Sequence, residues 1–496
     1  MIPSQGLSGN PVAGPATRHD VAGTGPASRL KRRIRRPIAS SGKGHTVITH
    51  RARVRCTAGA VTLAFAASLL VSSGSAAAAA HDLSPDSPTC GVSSGRTFQT
   101  ATAEQEGLDS ARLADAMAYA VSVGRTNIQI FRRGCLIGRG PTNDRSDGVP
   151  WNLWSGTKGV VSLVAGIAYD QGKLELDAPI GTYLPPDFGD AAHRAITVRD
   201  LLTQTSGLAT STTMELLTSF GPIDPDVGAQ AMGIPIVTPP GSTFAYSGRA
   251  VDLLSAVVEA AVGEPFQQFA QRELFDPLGI ERSDYYWAHD RSGHTYGFGN
   301  LLIPPVDFAK LGLLITDDGL WGDQRVISSD YLHQAHSSSP TNPCYGFLFW
   351  VGPGCAELPT FLPADSYTLA GFDMQNIFVV PSLDMTVVWT GGNGPTTNEM
   401  VPWEFWRRLY AAFDEPPIPD PGPYVDPDPL GPFRGIANNF NFPLLAGALG
   451  IGPDAYPSCT PLACRGETLA APFTDQPPGC ILYTCQGDDP RTPGIR

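Results

Sequence analysis

A serine three residues ahead of a lysine, in Trp154-Ser155-Gly156-Thr157-Lys158, opens an apolar run over 159–168. If that run is helical, Ser155 and Lys158 lie one turn apart on the same face. Ser155 then sits at the helix N-terminus, where unpaired N–H groups favour negative charge. Lys158 points into an apolar interior that disfavours its ammonium form, which suits it to act as a base. A hydroxyl beside such an amine is an activated nucleophile, and the chemistry it implies is acyl transfer.

A second element strengthens the first. Tyr246, in Phe244-Ala245-Tyr246-Ser247-Gly248, precedes a helical pattern that begins at Leu253, and its phenol could relay protons between Ser155, Lys158 and a leaving group. Asn300, in Gly299-Asn300-Leu301, is a candidate for the cleft or else a turn residue. His289, His294, His333 and His336 carry no metal-ligand spacing tied to carboxylates. Nothing resembles a phosphate loop or a dinucleotide site, so no metal and no cofactor is expected.

The elements around these residues follow from periodicity. Residues 109–123 read as an amphipathic helix, with Leu113, Met117, Ala120 and Val121 on one face. Residues 127–140 read as a β-hairpin turning at Arg132-Arg133-Gly134. The nucleophile helix should stop near Gly172, and an extended connector follows over 174–184. Helical stretches are expected at 196–202, at 253–275 with an interruption at Gly263-Glu264-Pro265, and at 306–314. Strand patterns resume at 345–351, 367–369, 376–380 and 385–389, and a last helix covers 402–413. Strands at both ends of a helical middle predict an α/β (α+β) fold. It is an antiparallel sheet flanked by helices, with an all-α insertion at about 171–335 and a cleft between them.

Composition bounds the rest. The chain has 496 residues, ample for a large core. Residues 1–80 hold eleven Lys or Arg and one acid, Asp20, which leaves 23 basic against 46 acidic residues beyond them. That balance argues against nucleic acid or an anionic membrane as partner and leaves a small-molecule substrate. Residues 57–71 form a short apolar stretch after Arg51, Arg53 and Arg55, and small residues follow to Ala80. This reads as a basic extension and a secretory signal cleaved near Ala80, with no stable membrane span afterwards. The eight later cysteines suit an exported, disulfide-bonded protein, with Cys90–Cys135 and Cys344–Cys355 the first pairings expected. The domain scheme is therefore 1–80 extension and signal, 81–104 linker, 105–414 main domain, 415–432 Pro/Asp-rich linker, and 433–496 a small Cys-containing region.

Taken together, the ordered motifs resemble the serine β-lactamase and penicillin-binding-protein superfamily. The likeness is to its class C β-lactamase-like branch, which includes esterases and 6-aminohexanoate-dimer hydrolase-type amidases. Besides Ser155-x-x-Lys158, the likeness rests on Leu174 to Pro185, Ile196 to Leu208, Tyr246-Ser247-Gly248, Pro277-Leu278-Gly279 and Asp307 to Gly312. It implies Ser155 as acylated nucleophile and Lys158 and Tyr246 as acid/base groups. It also implies backbone N–H groups of Ser155 and Phe372 as the oxyanion hole, and Gly371 beside the substrate. The sequence departs from the pattern at three places. Gln204 stands where a His is usual, and Gly248 where an Asn is. Leu369-Ala370-Gly371 replaces a Lys-Thr-Gly or His-x-Gly element. Without that cation, the resemblance implies a neutral ester or amide rather than a penicillin or peptidyl-D-alanine. A catalytically silent binding protein is the remaining alternative.

Overall fold

The computed structural model describes residues 90–91, 97–210, 215, 217, 223–392, 399–426 and 441–472. All of them belong to one compact unit within 75–496, and the extension, the secretory signal and its cleavage point lie outside the described residues.

Helix α1 (Ser110–Ser122) begins where the Asp109 carboxylate accepts the Arg112 N–H, and it buries Leu113, Ala116 and Ala120. Strands β1 (Arg125–Arg132) and β2 (Cys135–Arg139) form the expected hairpin, and Cys135 is bonded to Cys90. A two-residue strand β3 (Trp151–Asn152) leads into the Ser155 turn and helix α2 (Thr157–Asp170), which is buried almost all round. Helix α3 (Val198–Leu202) carries a reciprocal cap between Thr197 and Asp200. Helix α4 (Val227–Gly233) follows. Helix α5 (Gly248–Val262) begins five residues earlier than the apolar periodicity indicates, because the Ser247 hydroxyl caps it by accepting the Ala250 N–H.

Beyond α5 come strands β4 (Tyr286–Trp287) and β5 (Leu301–Ile303), which pair with β3 in the order β3-β5-β4. The middle of the chain is thus mostly helical but not wholly so, since strands this short leave no readable alternation. Helix α6 (Pro305–Thr316) and helix α7 (Ser329–Ala335) complete it. The pattern over 345–351 is a tight reversal rather than one strand. Leu348 has a left-handed backbone (φ 63°), and only β6 (Trp350–Val351) joins the sheet. The Cys344–Cys355 disulfide closes this loop.

Strands β7 (Tyr367–Gly371), β8 (Gln375–Val380) and β9 (Met385–Gly391) finish a six-stranded antiparallel sheet in the order β2-β1-β9-β8-β7-β6. Its two faces follow the period-two rule. Ile128, Ile130, Phe378, Val380, Val387 and Trp389 face α1 and helix α8 (Met400–Ala412). Phe131, Leu369, Ile377, Val379 and Val388 face α2 and α6. Gly312 lets α6 lie close to the sheet, as a methyl group there would meet Ile377 at 3.1 Å.

The C-terminal segments are fastened to this body. In the expected linker, Asp420 pairs with Arg407, and the Trp403 indole donates to the Gly422 carbonyl (3.0 Å). Helix α9 (Phe442–Ala448) and the loop after it pack on α4: Leu444, Cys464 and Leu469 join the core, and Arg465 lies 4.0 Å over the Phe188 ring. Cys459 pairs with Cys464. Among the described residues no helix is long and apolar enough to cross a membrane.

Candidate active site

The Ser155 turn is held from three sides. Leu153 donates its N–H to the Leu301 carbonyl at the end of the short sheet (2.9 Å), and Thr157 Oγ1 accepts the Leu301 N–H (3.3 Å). Trp154, at φ 48°, takes a left-handed backbone uncommon for a bulky residue. Asn152 stabilises it by accepting the Trp154 N–H (2.8 Å) and donating to the Asn300 side chain (3.2 Å). Asn300, itself at φ 63° and buried, thus braces the turn from beneath. Strain at such a turn is a common feature of functional sites.

Ser155 is half-buried in the 3-10 turn Trp154–Gly156 that precedes α2. Lys158 stands in the first turn of α2, and only 2% of it is exposed. Its Nζ lies 3.2 Å from Ser155 Oγ and donates to the Phe298 carbonyl at 2.8 Å. The same nitrogen sits 4.8 Å from the Tyr246 ring centroid and 5.2 Å from that of Phe298. Ser155, Lys158 and Tyr246 are therefore brought together from segments far apart in the chain.

Tyr246 is stacked on Trp350 (5.9 Å, 24°) and meets Tyr345 edge-on (6.2 Å), with Phe244 also against Tyr345. Burial, and then the neighbouring Tyr246, push the Tyr345 phenol well above its ordinary value, so it stays neutral. On the opposite side, Phe372 is half exposed, with its ring against Trp154 at 5.7 Å. The wall of the site is aromatic.

The end of β7 abuts the Ser155 turn. A methyl group on Gly371 would lie 2.0 Å from the Leu153 carbonyl oxygen and 3.2 Å from the Gly156 nitrogen. Gly371 is thus a point of close backbone approach, and the Phe372 N–H follows it directly. Leu369 is buried, and its side chain fills the space over Gly159, where a methyl group would meet it at 2.6 Å. The position that carries a cation in the resembled pattern is here apolar packing on α2.

Behind Lys158 lies a polar network that sequence reasoning missed. Asp252 accepts the N–H groups of Gly297 (2.8 Å) and Phe298 (3.2 Å), fixing the carbonyl that holds Lys158. Arg249 bridges Asp252 (2.7 Å) and Asp224 (2.8 Å) with no solvent exposure. Burial opposes the Arg249 charge, but the two carboxylates outweigh it and raise its pKa. The only signal in the sequence was Arg249 and Asp252 at i and i+3 within a mostly apolar helix. Among the described residues no group of His, Cys, Asp and Glu is arranged to hold a metal ion.

Residues 115–396 match the Beta-lactamase family. The chain is 34% identical to esterase EstB of Burkholderia gladioli over 158 residues, which cover 28% of this chain and 40% of that protein. It is 23% identical to the candidate penicillin-binding protein PbpX of Bacillus subtilis over 231 residues, 42% of this chain and 54% of that one. It spans about half to two thirds of the length of the first curated relatives it matches. A candidate 6-aminohexanoate-dimer hydrolase from Bacillus anthracis has a similar fold: TM-score 0.52, 14% identity, covering 65% of this chain and 89% of that one. With more than half of the chain matched and the helix-flanked sheet in place, the chain belongs to the beta-lactamase family of serine hydrolases.

Proposed function

We propose that this protein is a secreted hydrolase that cleaves a neutral ester or amide through an acyl-enzyme on Ser155. The observation that carries the reading is the 3.2 Å contact between Ser155 Oγ and the Nζ of a lysine that is 2% exposed. The disulfides Cys90–Cys135 and Cys344–Cys355 support export.

In the proposed reaction Ser155 Oγ bonds to the substrate carbonyl carbon while its proton passes to Lys158. The carbonyl π electrons move onto oxygen, and that oxyanion is held by the N–H groups of Ser155 and Phe372. Collapse breaks the bond to the alcohol or amine, which leaves with a proton delivered through Tyr246. Water then attacks the acyl-serine, gives its proton to the same network, and releases the acid and free Ser155.

Leu369 packed on Gly159, and the aromatic wall of Tyr246, Trp350 and Phe372, support an uncharged substrate with an apolar portion. A cationic partner for a substrate carboxylate would have to come from elsewhere. The test is labelling of the mature protein with a fluorophosphonate and with a fluorescent penicillin, with Ser155→Ala as control. Ser155-dependent labelling by the first alone is the expected result. Labelling by both would make it a β-lactamase or D,D-peptidase type of enzyme, and labelling by neither a silent binding protein.

A further inference from the structure

Two departures from the resembled pattern, Gln204 and Gly248, meet in space. The backbone carbonyl of Gln204 accepts the Ala245 N–H (2.9 Å), and its side-chain Oε1 accepts the Ser247 N–H (2.6 Å). Gln204 Nε2 donates back to the Leu201 carbonyl (3.4 Å), which orients the amide so that its oxygen faces Ser247. Gln204 is wholly buried in a left-handed conformation (φ 59°). The residues on both sides of Tyr246 are therefore tied to one rigid point.

The third tether is Glu215, a residue 1% exposed that no sequence motif marks. Its Oε2 accepts the Gly248 N–H at 2.6 Å and its Oε1 accepts from the Ser247 hydroxyl at 3.4 Å. The carboxylate thus caps the first turn of α5, a fifteen-residue helix, where N–H groups and the dipole favour negative charge. A methyl group on Gly248 would lie 2.8 Å from that Oε2 and 3.1 Å from the Phe298 ring. Glycine at 248 is what allows Glu215 in. Phe298 is also the residue whose carbonyl holds Lys158.

We infer that Glu215 is a positioning residue for Tyr246. It occupies the space that Gly248 leaves and, with Gln204, clamps 245–248, so that the phenol stays against Trp350 and above Lys158. The three positions form one co-adapted set, not a record of decay. This inference rests on the hydrolase reading above.

The experiment compares Glu215→Ala, Glu215→Gln, Gly248→Ala and the double variant Gly248→Ala/Glu215→Ala in the full mature protein. The readouts are kcat and KM on p-nitrophenyl butyrate, the fluorophosphonate labelling rate, and thermal melts that confirm folding. Loosening Tyr246 by a fraction of an ångström to an ångström should lower kcat by about 10- to 100-fold while KM changes less than about threefold. Glu215→Gln keeps an acceptor for Gly248 and should retain activity within about fivefold. Gly248→Ala should cost about tenfold or more alone but less than about threefold in the Glu215→Ala background, because the nearer clash, with the carboxylate, is gone and only the looser contact with the Phe298 ring remains. If Glu215→Ala fails to fold, the Glu215→Gln and Gly248→Ala variants carry the test. Unchanged kcat in Glu215→Ala, an equal Gly248→Ala cost in both backgrounds, or a Gln variant as impaired as Ala would each overturn the clamp. Absence of Ser155-dependent labelling in the unmodified protein overturns the hydrolase reading and the clamp with it.

Discussion

Replacing Lys158 by methionine separates a catalytic amine from a structural strut. The side chain stays long and unbranched, one heavy atom shorter, but loses the donor to Ser155 Oγ (3.2 Å) and to the Phe298 carbonyl (2.8 Å). Removing a general base from an acylating serine costs about 10²- to 10⁴-fold, or about 2.7–5.5 kcal/mol in the barrier. The effect on folding is smaller because opposing contributions nearly cancel. The swap removes the cost of burying an amine, an effective penalty of several kcal/mol for a charged one. It also leaves the Phe298 carbonyl without its donor, about 1–3 kcal/mol. The net change should stay within about 2 kcal/mol, a shift in Tm of no more than about 8 °C.

The assay is the second-order rate of fluorophosphonate labelling at neutral pH, beside a thermal melt, with Ser155→Ala as blank. Lys158→Arg belongs in the same series, since a guanidinium cannot give up its proton and should be as inactive as methionine. Labelling of Lys158→Met within about threefold of the unmodified protein would refute the base assignment. So would a fully active arginine variant. A methionine variant that cannot fold would make the amine a strut.

Three further expectations concern the surroundings of the site. Gly371→Ala should push β7 off the Ser155 turn, lowering kcat at least about tenfold and stability by about 1–3 kcal/mol; unchanged kinetics and melting would show that the strand yields freely. Breaking the Cys344–Cys355 bond by Cys344→Ser frees a loop with a sequence separation of 11, worth about 3 kcal/mol by loop entropy, and should loosen Trp350 against Tyr246. Chemical denaturation measures the first effect and kcat the second. His294 is partly buried; burial works against its charge, but its bond to Glu259 and the charges of Asp290, Asp226 and Glu259 hold its pKa at about 9. A raised pKa adds stability that is complete below the unfolded value near 6.5 and is lost as pH climbs through about 9. Unfolding free energy should therefore fall by about 2 kcal/mol across that window, allowing for partial exposure, and His294→Gln should flatten the slope. An equal slope in both proteins would assign the change to another group.

Local geometry made much of the site legible in advance. Ser155 and Lys158 had to lie one turn apart on one side because a helical turn, here a 3-10 turn running into α2, brings residues three apart together, and the apolar run after them had to be buried. The strands β8 and β9, the helix from about 109 and the nearest cysteine pairing followed from similarly short-range rules. The reversal at 345–351 did not, since Leu348 in a left-handed conformation breaks an alternation that otherwise looks like one strand.

What only the tertiary structure decided lies in contacts between distant segments joined by irregular loops. The Phe298 carbonyl reaches Lys158 across 140 residues, and Glu215 reaches Gly248 across 33. Neither residue sits in a pattern whose period predicts where its polar atoms point. From the sequence, Gln204, Gly248 and Leu369 were isolated departures; folded, the first two share a carboxylate-braced clamp and the third is packing on α2. Short-range spacing sets Ser155 beside its amine, because the geometry of a helical turn is a local property. The groups that orient them depend on how loops route the chain, because a buried polar atom must find its partner wherever the packed core brings one.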